Sequence, residues 1–182
     1  MRTLGVASAL AIASDLGNRS RAALLLARAG DASGAQKITA DLQQKWPTSM
    51  PLHLGTLPCV QSSIELRRGS PAKAVEVLQP GAAYEFASFG GCVPYLRGEA
   101  YLALHKSVEA AAEFQKLLDH PGIVLNNPLG AIAHLQVARA YALQNDTAKA
   151  RTAYQDFFAL WKDADPDIPI LKQAQSEYAS LQ

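Results

Sequence analysis

The chain of 182 residues predicts an all-α fold: about four helix pairs stacked as a right-handed helical-repeat solenoid, closed by a C-terminal capping helix. Three observations point there. Apolar residues recur at helical intervals, as at Ala110, Phe114, Leu117 and Leu118. Glycine and proline cut these stripes into segments of ordinary helix length, as at Gly30, Pro47, Gly69, Pro80 and Pro121. Four alanines, Ala35, Ala74, Ala110 and Ala150, stand 39, 36 and 40 residues apart. A recurring period of this size marks stacked repeats. The expected organisation is one domain over 1–182, with units near 16–50, 51–91, 92–128 and 131–165 and a cap over 168–182.

In chain order, Met1–Ala13 carries one arginine and then an apolar run ending in small residues, which resembles a short signal peptide. The same stretch places Leu4, Ala7, Leu10 and Ala11 on one helical face. We expect it to stay attached and the chain to remain in the cytoplasm. Asn18 and Ser20 are candidate caps for a helix over Arg21–Arg28, and Ala35–Trp46 pairs with it across Gly30-Asp31. Pro51–Arg68 predicts a helix made irregular by Pro58, which has no N–H to donate. Ser70 and Pro71 fit the cap and first position of the partner helix, which Pro80-Gly81 stops. Residues 82–91 read as a loop anchored by Tyr84, Phe86 and Phe89.

The most regular unit follows, PYLRGEAYLALHKSVEAAAEFQKLLDHPG from Pro94 to Gly122, broken at His105-Lys106-Ser107. Gly98, Tyr101, Ala110, Phe114 and Pro121 take the spacing of the tetratricopeptide repeat, which this unit resembles. Pro94 and Arg97 stand where that pattern carries tryptophan and leucine. Gly98 implies close approach of a neighbouring helix, with Tyr101 buried beside it. A linker over 122–130 leads to the last unit, where Val137, Ala138 and Tyr141 repeat the first helix and Ala150, Tyr154 and Phe157 the second. A turn-rich break, Asp163–Pro169, precedes the closing helix Ile170–Leu181, whose first turn the aspartates are expected to cap.

Net charge is +1, from 17 basic and 16 acidic residues, so no basic excess points to nucleic acid or anionic lipid. No apolar run reaches the roughly 18 residues that span a bilayer. Cys59 and Cys92 lack zinc-site spacing and read as small buried hydrophobes. His53, His105, His120 and His134 share no metal-ligand spacing, and Asp163, Asp165 and Asp167 begin a calcium-loop pattern that fails at Ile168 and Ala174. Glu109 and Glu113, four apart, read as a solvated face. No nucleophile, phosphate-loop or dinucleotide motif occurs, and neither a cofactor nor a metal is expected.

LRRGSPAKAVEVLQ, YLRGEAYLAL, AAAEFQKLLDHPGIVLN and ARAYALQNDTAKARTAYQDFFALWKDADPDIPILKQA resemble the C-terminal tetratricopeptide region of eukaryotic-like serine/threonine protein kinases. Similar regions follow winged-helix regulators in bacteria of the acidobacterial type. The chain departs from that family in lacking the glycine-rich ATP loop, HRD and DFG, so no kinase activity carries over. Met1 then looks like the start of a truncated or split gene. The resemblance implies a non-enzymatic sensor or docking module with a protein or peptide partner. A regulatory fragment holding a small ligand is the alternative.

The repeat register also names a candidate groove on the first helix of each pair. It comprises Arg28, Ser63, Leu66 and Arg67 in the N-terminal half, and Glu99, Leu102, Arg139 and Leu143 in the C-terminal half. The first half is basic, and the second is apolar around an expected Glu99–Arg139 pair, unless the closing helix folds back over it. An open groove of this kind suits a peptide with apolar anchors and an acidic end.

Overall fold

Left-handed residues recur along the backbone in the same register as the alanines. Gly30 (φ 97°), Gly69 (φ 73°), His105 (φ 57°) and Asn145 (φ 59°) each end one helix and open a tight turn into the next. At each, two hydrogen bonds close the turn in the same way. Gly30 N–H donates to Ala27 O and Asp31 N–H to Leu26 O, at 3.1 and 2.9 Å. Gly69 and Ser70 repeat this toward Leu66 and Glu65, His105 and Lys106 toward Leu102 and Tyr101, and Asn145 and Asp146 toward Ala142 and Tyr141. This is the Schellman closure, in which a left-handed residue satisfies the last helical carbonyls. Five residues after each comes Ala35, Ala74, Ala110 or Ala150, all fully buried where paired helices touch.

The computed structural model describes residues 15–86, 91–124 and 127–181. Met1–Ala13, Phe89 and Asn126 therefore lie outside the described residues. Within them the chain is helical, with no strand, consistent with a helical-repeat solenoid. It divides into two compact units, Met1–Leu96 and Arg97–Gln182.

In the first unit, α1 (Leu16–Ala29) pairs with α2 (Ala32–Lys45), and α3 (Leu57–Arg67) with α4 (Pro71–Leu78). Ala23, Leu26, Ala35, Leu42, Leu52, Val60 and Ile64 form the core. Asp15, rather than Asn18 or Ser20, caps α1, its Oδ1 accepting Asn18 N–H at 2.9 Å. Ser20 lies fully buried inside the helix and accepts a hydrogen bond from Thr56 Oγ1 at 3.3 Å. Pro58 has the expected effect by a definite route. One π-helical turn, Leu52–Thr56, precedes it, and Leu57 N–H reaches back to Leu52 O. A widened turn steps the ladder past the missing proline donor without ending the helix. Pro71 opens α4 as expected, but Ser70 makes no side-chain cap bond. Tyr84 and Phe86 do not act as buried anchors: they are 47% and 38% exposed, one ending the 3₁₀ segment Gln79–Tyr84 and the other just beyond it. Cys59 and Cys92 are buried free thiols, and burial beside Cys92 pushes the Cys59 thiol up.

Helix α5 (Cys92–Ala103) enters the second unit, which continues with α6 (Ser107–Asp119), one turn at Pro121–Val124, α7 (Leu129–Leu143), α8 (Thr147–Leu160) and the closing helix α9 (Pro169–Ala179). Gly98 is buried against α6: a Cβ there would meet the Phe114 ring at 2.7 Å. Tyr101 is only half-buried, and the deepest aromatics are instead Phe114, Tyr154 and Phe157. Glu113 is not solvated. Its carboxylate takes Arg97 Nη2 at 2.7 Å, with side-chain exposures of 12% and 6%, and Lys116 Nζ approaches at 3.1 Å. The arginine that replaces the repeat leucine is thus neutralised from the neighbouring helix. The aspartates before α9 do not cap it: Ile168 is its cap residue, and Asp165 accepts Asp167 N–H at 2.8 Å in a local turn.

Candidate functional site

The candidate groove residues fall in both units, so each half is described where it stands. In the first unit Ser63 is buried, 2% exposed, and presents nothing to solvent. Leu66 is half-buried at the end of α3, and Arg67 is exposed. The Arg67 guanidinium lies over Gly30, within 3.2 Å of where a Cβ would stand. Arg28 sits above the Tyr95 ring at 5.5 Å from its centre. Both arginines therefore pack on their own unit, and reversing their charge would perturb packing as well as binding.

In the second unit three of the four candidates come together. Leu102 on α5, Arg139 and Leu143 on α7, and Tyr154 on α8 line one cleft with Ala142 and with Glu177, Ser180 and Leu181 from the closing segment. Leu143 is 49% exposed. Arg139 does not pair with Glu99. Its Nε and Nη2 donate to Glu177 Oε2 and Oε1 at 2.8 and 3.0 Å, a two-pronged arginine–carboxylate contact. Tyr154 Oη also donates to Glu177 Oε2 at 2.9 Å. Burial, together with this carboxylate, pushes the Tyr154 phenol well above the ordinary range. The closing helix thus folds back on α8 and forms one wall of the cleft, leaving Leu143 open at its edge.

Sequence reasoning passed over a second cleft. His134 on α7 and Leu118 on α6 lie between two lined hollows, one holding Tyr141, Lys149, Thr152 and Asp156, the other Pro121, Val124, Leu160 and Trp161. Burial holds the His134 imidazole below its ordinary midpoint of 6.5, against the opposing pull of Asp156 at 3.9 Å. Between the folded and unfolded midpoints the unfolded chain binds more protons. Stability from this residue is therefore full above the ordinary histidine midpoint of about 6.5 and falls as pH drops below it. His134→Gln is expected to flatten that acid-side fall in melting temperature, and the His134 ring protons should titrate below the free value.

The left-handed turn at Asn145 and the buried Ala150 join α7 to α8. Residues 133–163 match the tetratricopeptide-repeat family model. The match takes in most of α7, with Arg139 and Leu143, and all of α8, and it supports a tetratricopeptide-repeat protein. The other three helix pairs share its left-handed turn and buried alanine. No curated protein and no solved structure matches the chain. Tetratricopeptide repeats serve generally as protein-interaction modules. Among the described residues no helix is long and apolar enough to cross a membrane, and no three His, Cys, Asp or Glu side chains cluster as metal ligands.

Proposed function

We propose that the chain is a non-catalytic protein-interaction module and that Leu102, Arg139, Ala142 and Leu143 form its contact surface in the second unit. The observation that carries this reading is Leu143, half exposed at the mouth of a cleft with an arginine at its base. An apolar anchor beside an arginine suits a peptide offering an apolar side chain and a carboxylate that takes the place of Glu177 on Arg139. Arg28 and Arg67 supply positive charge on the first unit and fit the same acidic class of partner. The resemblance of the repeat phrases to the C-terminal regions of serine/threonine protein kinases supports a finer reading: a docking or sensing arm of a signalling protein, working in the cytoplasm on proteins and not on nucleic acid.

Leu143→Ser tests the surface with little risk to the fold, because exposed substitutions usually change stability by under about 0.5 kcal/mol. The variant is expected to lose about ten-fold in affinity for proteins retained by the parent chain, equivalent to about 1.4 kcal/mol. Its melting temperature should stay unchanged. Equal retention by parent and variant would remove Leu143 from the binding surface.

A further inference from the structure

The groups that hold the closing helix suggest what it stands in for. Glu177 is gripped by Arg139 through two bonds and by Tyr154 Oη at 2.9 Å, while Gln173 of the same helix donates to it at 2.8 Å. One residue on, Tyr178 lies edge-on to the Tyr154 and Phe158 rings. The guanidinium of Arg151 covers its face at 4.8 Å. The face of α7 and α8 is therefore a built seat for a carboxylate next to an aromatic ring, with two arginines supplying the charge.

The hold of α9 on that seat joins one charged contact to the packing of the Tyr178 ring, and most residues of the helix face water. Only Leu171 and Ala174 of the helix are buried, and the Arg139–Glu177 pair is 22% and 28% exposed. The two-pronged Arg139–Glu177 contact is thus the main tie of a helix that buries little else, and one substitution at Glu177 removes it. The eight residues from Trp161 to Ile168, which tether the helix, include the exposed Asp163, Asp165, Pro166 and Asp167. A short tether keeps a weak occupant in place by effective concentration.

We infer that α9 is a displaceable internal occupant of the Arg139–Arg151 face, and that the partner which replaces it is an amphipathic helix presenting a carboxylate beside an aromatic or apolar side chain. This rests on the protein-interaction reading and names its regulation. The cleft at Leu102 and Leu143 adjoins the seat, so a partner helix entering there meets Glu177 as a competitor for Arg139. Removing the competitor opens the site.

The test needs no natural partner. The probe is a synthetic peptide of residues 168–182, titrated by nuclear magnetic resonance into the full chain carrying Glu177→Lys, which sets a lysine against Arg139. The variant is expected to bind the peptide about ten-fold or more tighter than the parent, whose own α9 competes at high effective concentration. Shifts should fall on the Arg139 side chain and the Leu102 and Leu143 amides, and a peptide carrying the same Glu177→Lys change should not bind. Equal binding by parent and variant, or none to the variant at millimolar peptide, overturns the inference. Hydrogen exchange on the unaltered chain gives a second decision should the variant fold poorly. Amides of 171–179 should exchange at least about ten-fold faster than those of 133–143, as expected of a locally opening segment. Exchange of both segments in step would make α9 an inseparable part of the fold. Because the Leu143→Ser experiment stands apart from these, the binding surface survives if only the displacement fails.

Discussion

Phe114→Ala is expected to destabilise the chain by about 3–5 kcal/mol, the range for truncating a buried aromatic. Phe114 is fully buried on α6, and its ring lies where a side chain on residue 98 would have to go. The glycine and the ring are thus one feature: Gly98 makes the room that Phe114 fills. Gly98→Ala should itself cost about 1–3 kcal/mol through overpacking. With Phe114→Leu in the same chain the two losses should fall short of their sum, because a smaller side chain leaves space for the added methyl. Denaturant unfolding of the four chains gives this cycle directly. Additive losses would mean the two residues do not touch.

Glu113→Ala should cost about 3 kcal/mol, the lower end of the range for breaking a buried ion pair. Arg97 keeps other interactions, so it is not stranded entirely, and Lys116 loses only a partly exposed contact. Replacing both members of the pair with leucine should recover most of the loss, since apolar residues of similar volume commonly substitute for such pairs. At about 2–4 °C per kcal/mol for a chain of this length, the single variant should melt several degrees lower and the double variant near the parent. A single variant as stable as the parent would show that the Arg97–Glu113 contact is solvated.

Much of the fold was legible because it is written in local chemistry. The four turns follow from Gly30, Gly69, His105-Lys106 and Asn145-Asp146, and the close helix contact from Gly98, although the ring against it is Phe114 and not the expected Tyr101. What was not legible depended on which faces meet. Glu109 and Glu113 are equivalent by spacing, yet only Glu113 points at Arg97 across the α5–α6 contact. The missing signal was the arginine at a leucine position, which demands an acid nearby. The repeat register set Arg139 against Glu99, but its partner is 38 residues on, and no local rule reaches Glu177. Of the candidate groove, Leu102, Arg139 and Leu143 were placed together by the repeat register. Ser63 was not exposed, because the register gives a face of the helix and not what covers it.

The central functional claim is that a partner protein is bound through Leu102, Arg139 and Leu143. Hydrogen exchange of the chain with and without a protein it retains tests this most directly. The account predicts slowed exchange over 99–103 and 139–143, with the rest of α5 and α7 unchanged. Slowed exchange confined to residues around His134, Asp156 and Trp161, with none at Leu102 or Leu143, would contradict it and move the interface to the other cleft.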